Sequence, residues 1–228
     1  MVEGLQQNMN TRPAWGVLFL GALIVLALFL SPIWLKQFSG SIVEQQQVAP
    51  FPDAFYLLSN DAQDMYLKLY NTNRQMAIDL VAARLATPED VEEPNLPAID
   101  PRPASVQELL TGDFVALDPM RSALGSASIY KLSDGRTIVR LQNLDALNGP
   151  DVHLLLSAYP RPTTREQLDQ VKQYEIDLGP LKGTQGNQNY IITDPAFNVD
   201  NYTQGSVVLY STRYDLVFSF APLAAPGT

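Results

Sequence analysis

The densest run of chemistry-bearing side chains extends from Leu178 to Tyr190, and reads LGPLKGTQGNQNY. It sets Lys182 and the amides Gln185, Asn187 and Asn189 among Gly179, Gly183 and Gly186, and Tyr190 closes it. Exposed N–H groups around Gly183–Gly186, with Lys182 beside them, would form a nest for an anion such as a carboxylate. A phosphate loop does not fit, because G-x-x-x-x-G-K-[ST] is absent and Lys182 precedes the glycines. The plainer role for Gly149, Gly179, Gly183 and Gly186 is a backbone need, either positive φ or close approach of a neighbouring chain. Upstream lies His153, the single histidine, two positions after Asp151. On a strand those two side chains would share a face, so the carboxylate could orient the imidazole. A hydrogen-bonded structural histidine is the alternative. Asp151, His153, Lys182, Gln185, Asn187, Asn189 and Tyr190 are therefore the candidate ligand-binding residues. Glu175 and Asp177 would also share a strand face, which alone says little about acid–base work. No serine nucleophile sits in a recognised motif, so no catalytic residue and no metal ligand is assigned, and an enzymatic role has little support.

Composition narrows the chemistry further. The chain of 228 residues carries a formal charge of −9 and contains no cysteine. The deficit is shared by residues 1–107 and 108–228, and no basic patch stands out, which argues against a nucleic-acid partner. Lack of cysteine excludes disulfides, thiolate zinc sites, thiolate-bound iron–sulfur clusters and covalent c-type haem. One histidine excludes a polyhistidine metal cluster. The sequence names no cofactor.

These residues need elements to position them. Residues 1–13 form a polar N-terminal tail. Ala14–Leu35 follows as 22 residues without a charge, close to the roughly 20 helical residues that cross a bilayer. Trp15 and Trp34 stand near its ends, where indoles favour the membrane interface. A cleavable signal peptide is the rival reading, but no small-residue cleavage site follows the apolar core. The expectation is a single uncleaved transmembrane anchor. Arg12 and the α-amino group against Lys36 tip the tail to the cytoplasm and the bulk of the chain to the outside of the cell membrane.

Residues 36–85 are expected to be a helical stalk. Asn60 can cap a helix with Gln63 in capping-box spacing. Met65, Leu69, Thr72, Met76, Leu80 and Ala83 form one stripe, with a weak point at Asn71–Asn73 that allows two shorter helices. That stripe would pack on the folded domain or dock another membrane subunit. Residues 86–107 mix Pro88, Pro94, Pro97, Pro101 and Pro103 with five carboxylates, and read as a semi-rigid acidic linker. Over residues 108–224 the period becomes two. Candidate strands are Asp113–Asp118, Ser126–Leu132, Arg136–Asn143, Val152–Ala158, Gln173–Leu178, Gln188–Thr193, Ser206–Thr212 and Tyr214–Ala221. Ser133-Asp134-Gly135 reads as a tight hairpin, and Thr164 caps a short helix. Many short strands with turn signals between them predict an all-β domain, a small sandwich or barrel.

Gly149-Pro150-Asp151-Val152-His153-Leu154, Asp177-Leu178-Gly179-Pro180-Leu181-Lys182-Gly183 and Gln185-Gly186-Asn187-Gln188-Asn189-Tyr190, with the ending Ser206–Tyr210 and Phe218–Leu223, resemble one family. It is the electron-transfer DM domain (DM-thirteen) family, a small β-rich module, and the resemblance covers roughly residues 110–223. It implies a cysteine in the penultimate strand, where this chain has Ser211. A serine hydroxyl cannot follow thiol redox chemistry. The expected function is a membrane-anchored extracytoplasmic binding or accessory module, a subunit of an electron-transfer or other membrane complex. The alternatives are a redox-active domain with a non-covalent cofactor and an extracytoplasmic ligand sensor or adhesion module. Partners would be the membrane, through residues 14–35, and other membrane-complex subunits.

Overall fold

A computed structural model describes residues 51–96, 102 and 105–227. The tail, the expected anchor Ala14–Leu35, the start of the stalk and much of the linker lie outside the described residues. Among the described residues no helix is long and apolar enough to cross a membrane.

Ten strands form two five-stranded sheets. The first sheet takes β1 (Asp90–Glu92), β8 (Gln185–Ile192), β5 (Thr137–Ala146), β4 (Ala123–Lys131) and β2 (Gln107–Asp113) in that spatial order. The second takes β3 (Val115–Ala116), β10 (Leu216–Pro222), β9 (Ser206–Ser211), β6 (Val152–Ser157) and β7 (Ile176–Pro180). Of the two expected architectures, the two-sheet sandwich is the one formed. Leu155, Val208, Tyr210, Val217 and Phe220 make an apolar cluster on one side of the second sheet, closed by Leu168. Leu154, Leu156, Val207 and Leu209, which alternate with them, are also buried. The second sheet is therefore covered on both faces, which explains the near-continuous apolar runs of β6 and β9.

The chain changes sheet at the very segments that carry the family resemblance. Residues 147–151 lead from β5 into β6, and residues 181–184 lead from β7 into β8. The two crossings are laced together: Ala146 N–H donates to Thr184 O at 2.8 Å and Leu181 N–H to Val152 O at 2.8 Å. A corner of this kind needs backbone that no ladder satisfies, so its letters are dense in Gly, Pro and amides.

Helix α1 (Asn60–Thr72) and helix α2 (Arg74–Leu85) replace the expected single stripe. Asn73 ends the first and caps the second, accepting from Met76 N–H at 3.2 Å. The first cap is Ser59, not Asn60. Buried positions are Ala62, Tyr66, Tyr70, Ala77, Leu80 and Val81. Only Leu80 was in the expected stripe, because the buried face is displaced by about one residue, onto the side where Tyr66 and Tyr70 fill the interior. Helix α2 is tied to the β9–β10 turn by Tyr214, whose hydroxyl donates to Asp79 at 2.6 Å, and by Arg213 at 3.0 Å. The Tyr214 bond holds the Asp79 carboxyl below its usual range, burial working against it. The hairpin at Ser133–Gly135 forms as expected, with Gly135 at φ +90°. Helix α3 (Arg165–Asp169) is capped at Thr164, and Gln167 accepts from the Thr163 and Thr164 N–H groups.

One expectation fails for a definable reason, and one strand is irregular. Residues 90–92, placed in the linker by their charge, are edge strand β1, paired in parallel with residues 185–187 of β8. Alternation at Leu216, Phe218 and Phe220 is interrupted by a bulge between Val217 and Ser219, so Val217 joins Phe220 in the apolar cluster. A bulge shifts the facing of every residue beyond it.

Candidate functional site

Around β8 the candidate residues line one edge and bind the chain itself. Gln185, Asn187 and Asn189 lie on alternate positions and so share a face. Asn187 Nδ2 donates to Glu92 at 2.6 Å, while its Oδ1 accepts from Asn143 N–H. Asn189 Nδ2 donates to Pro94 O at 3.0 Å, and its main-chain N–H donates to Glu93 Oε2 at 2.6 Å. Gln185 N–H donates to Glu89 O at 3.0 Å, and its side chain to Asp145 at 3.1 Å. Lys182 Nζ reaches Glu93 Oε1 at 2.7 Å and Asn189 O at 2.7 Å, and lies 4.8 Å from the Tyr190 ring centroid. The carboxylate held beside the glycine-rich turn is Glu93 of the same chain.

The glycines are shaped for this strap. A Cβ on Gly186, whose φ is +94°, would lie 2.3 Å from Val91 O; one on Gly183 would lie 2.7 Å from Glu89 O. Tyr190 stands inward of the strap. Its hydroxyl donates to Gln188 Oε1 at 2.8 Å and accepts from Lys182 N–H at 3.0 Å, and burial pushes its pKa up to about 12. Gln188, fully buried, also donates to Gly183 O at 2.7 Å.

Sequence reasoning missed the other half of this arrangement, namely Glu89, Glu92, Glu93 and Arg140. Arg140 is 3% exposed, and its Nη1 donates to Asn189 Oδ1 at 2.7 Å and Pro94 O at 3.0 Å. A guanidinium inside the apolar run Thr137-Ile138-Val139-Arg140-Leu141 was the available signal, since buried arginine needs dedicated acceptors. No local pattern could have supplied its partner, 46 residues away.

The histidine lies elsewhere, on the second sheet. Asp151 precedes β6 at φ +47°, so it does not share a strand face with His153, and the expected Asp151–His153 pair is not formed. Asp151 instead serves through its carbonyl, which accepts from Thr212 N–H at 3.0 Å. The partner of His153 is Asp177 of β7, at 2.9 Å from Nδ1. A carboxylate only accepts, so Nδ1 is the donor in that bond. Asp177 also accepts from Gly179 N–H at 2.8 Å. Glu175 does not join Asp177; it is bound by Arg165 at 3.0 Å and by Lys172.

Across the β6–β9 ladder His153 stands opposite Tyr210. The Tyr210 hydroxyl donates to Asp215 at 2.6 Å, and Arg165 lies over its ring at 5.4 Å. Burial first, and then that bond to Asp215, drive the Tyr210 pKa upward. Next in the ladder is Ser211, fully buried, whose hydroxyl donates to Pro150 O at 2.5 Å. It pins the β5–β6 crossing to β9.

Between the crossings and the strap opens a polar cleft of about 290 Å³, with Thr87, Glu89, Asn148, Asp151, Leu181 and Thr184 among its walls. Its volume stands at the small end of the roughly 300–1,000 Å³ spanned by sites for drug-sized molecules. Among the described residues no group of three or more His, Asp or Glu side chains could hold a metal ion.

The same segments fall inside a match to a family model. The model of the family described as Electron transfer DM13 matches residues 118–223. The DM13 segment begins just after β3 and ends after β10, so the strap, both long helices and β2 lie outside the match. No curated protein matches the chain. Among solved structures, two mutant forms of superoxide dismutase 5 from Candida albicans are similar at 12% identity. Their TM-scores are 0.38 and 0.36, covering 53% and 54% of this chain and 93% and 94% of theirs.

Proposed function

We propose that the protein is a membrane-anchored extracytoplasmic accessory module, built on a DM13 domain and serving a membrane complex that handles electrons. The observation that carries this reading is the occupancy of the β8 edge. Lys182, Asn187 and Asn189, the groups a cofactor would use there, are hydrogen-bonded to the chain's own Glu92, Glu93 and Pro94. The resemblance places a cysteine where Ser211 stands, and a serine hydroxyl bonded to Pro150 O has structural work and no thiol redox chemistry. The apolar, charge-free stretch Ala14–Leu35 supports the anchor and with it the single-pass topology in the cell membrane.

One observation favours a second reading, a redox-active domain with a non-covalent cofactor. His153 is held through Nδ1 by Asp177, and a carboxylate on one ring nitrogen is the arrangement that aims the other at a ligand. Purification of the full chain from its native membranes in mild detergent separates the two. The accessory reading expects copurifying subunits and a protein-only optical spectrum. A visible flavin or haem band that disappears in His153→Ala would overturn it in favour of the second.

A further inference from the structure

The strap Glu89–Pro94 has the properties of a bound peptide more than those of a core strand. It adds to an open sheet edge in parallel register, with Asp90, Val91 and Glu92 opposite Gln185, Gly186 and Asn187. Glu89 N–H donates to Thr184 Oγ1 at 3.2 Å, and Glu93 N–H to Asn187 O at 2.9 Å. Its side chains are read individually: Glu92 by Asn187, and Glu93 by Lys182 and the Asn189 N–H. Gly183 and Gly186 leave the hollow for its backbone. This is strand addition, in which main-chain bonds give affinity and side-chain contacts give specificity.

None of the five residues Glu89–Glu93 is fully buried; Val91 and Glu93 are half-buried and the others are exposed. Hydrogen bonds that water can replace contribute only about 0.5–1.5 kcal/mol net apiece, and such edges open locally at far less than the global cost. The opposite edge of the same sheet, β2, is unlike this, with seven residues and Leu110 buried. Every contact of the strap is made by its own residues, and helix α2, four residues upstream, carries its own tie through Asp79. An arm supplied by a second copy would therefore make the same bonds.

We propose that the β8 groove is an exchange site: it accepts Glu89–Pro94 from a second copy of this chain, giving a strand-swapped dimer. Charge complementarity is built in, because the groove contributes Lys182 and Arg140 and the strap contributes Glu89, Asp90, Glu92 and Glu93. Exchange of an identical element is a low-cost route to a dimer.

Absence of native cysteine makes the test clean. Two full-length chains with different affinity tags, one Glu92→Cys and one Asn187→Cys, are co-expressed, purified in detergent and oxidised. Those positions are opposite in the ladder and their native side chains touch, within disulfide reach. Exchange predicts a disulfide-linked heterodimer carrying both tags, reduced about tenfold when Glu93→Lys is added to the strap chain. No heterodimer, with Glu92→Cys/Asn187→Cys in one chain closing only intramolecularly, overturns the proposal. A heterodimer insensitive to Glu93→Lys reports collision and also overturns it. A disulfide product of another mass in its place assigns the groove to a different partner. If the double variant does not close, light scattering of the wild-type chain over a concentration series decides, and a monomer throughout overturns the proposal.

Discussion

Two polar clusters sit on the two sheets of this sandwich, and they use their side chains differently. On β8, Lys182, Asn187 and Asn189 present a stripe that looks like a recognition surface and is filled by the chain's own strap. On β6 and β7, His153 and Asp177 look like an ordinary structural pair, yet the histidine retains one ring nitrogen beyond that bond. A conspicuous motif is thus structural in one place, and a modest pair is the better candidate for chemistry in the other. The difference lies in what the topology brings near: an edge strand needs a partner, whereas β6 already has β7 and β9 on its two sides.

The comparison breaks most readily at Gly186. Gly186→Val must adopt φ near +94° and drive its Cβ against Val91 O. Strain and clash together should cost about 3 kcal/mol in chemical denaturation, and strap amides should lose protection in hydrogen exchange while β6 and β9 keep theirs. Equal loss on both sheets would show that the strap is not an independent unit.

An alkaline titration sharpens the contrast through Tyr190. Its folded pKa lies above the unfolded value near 10, so its contribution to stability is fully present below pH 10. That contribution is lost as pH rises through about 12. Tyr66, also pushed up to about 12 by burial, adds to the same loss. Melting temperature should fall across that window, and Tyr190→Phe should make the fall shallower. An unchanged slope in Tyr190→Phe would assign the loss to other tyrosines.

The smallest effect is expected at Asp177. Its bond to His153 is half-exposed, and such pairs contribute under about 1 kcal/mol. Asp177→Asn should therefore shift the denaturation midpoint little. A loss of several kcal/mol would make the pair a structural anchor and remove the basis for its candidacy as a ligand site.

Much of the sandwich could be read from local pattern. The hairpin at Ser133–Gly135, the cap at Thr164 and the alternation in Ser126–Leu132 and Ser206–Thr212 depend on neighbours within a few residues. The two sheet crossings could be recognised as special but not as crossings, because their letters record backbone needs without naming the partner. Three readings failed. Residues 90–92 look like solvated linker because their partners on β8 lie about 95 residues away. His153 was paired with the wrong carboxylate because the positive φ of Asp151 is invisible in sequence. The α1–α2 stripe was set on Met65 and Leu69 when the buried face runs through Tyr66 and Tyr70, because large aromatic rings took the interior.

Sequence alone determined the alternating strands, the absence of thiol chemistry and the apolar stretch Ala14–Leu35. Those properties follow from periodicity, composition and spacing, which are local quantities. Only the tertiary structure decided that Lys182, Asn187 and Asn189 hold Glu92, Glu93 and Pro94, that Arg140 is buried beneath them, and that His153 belongs to Asp177. These are long-range pairings, set by which strand edges the fold leaves open and which it brings together.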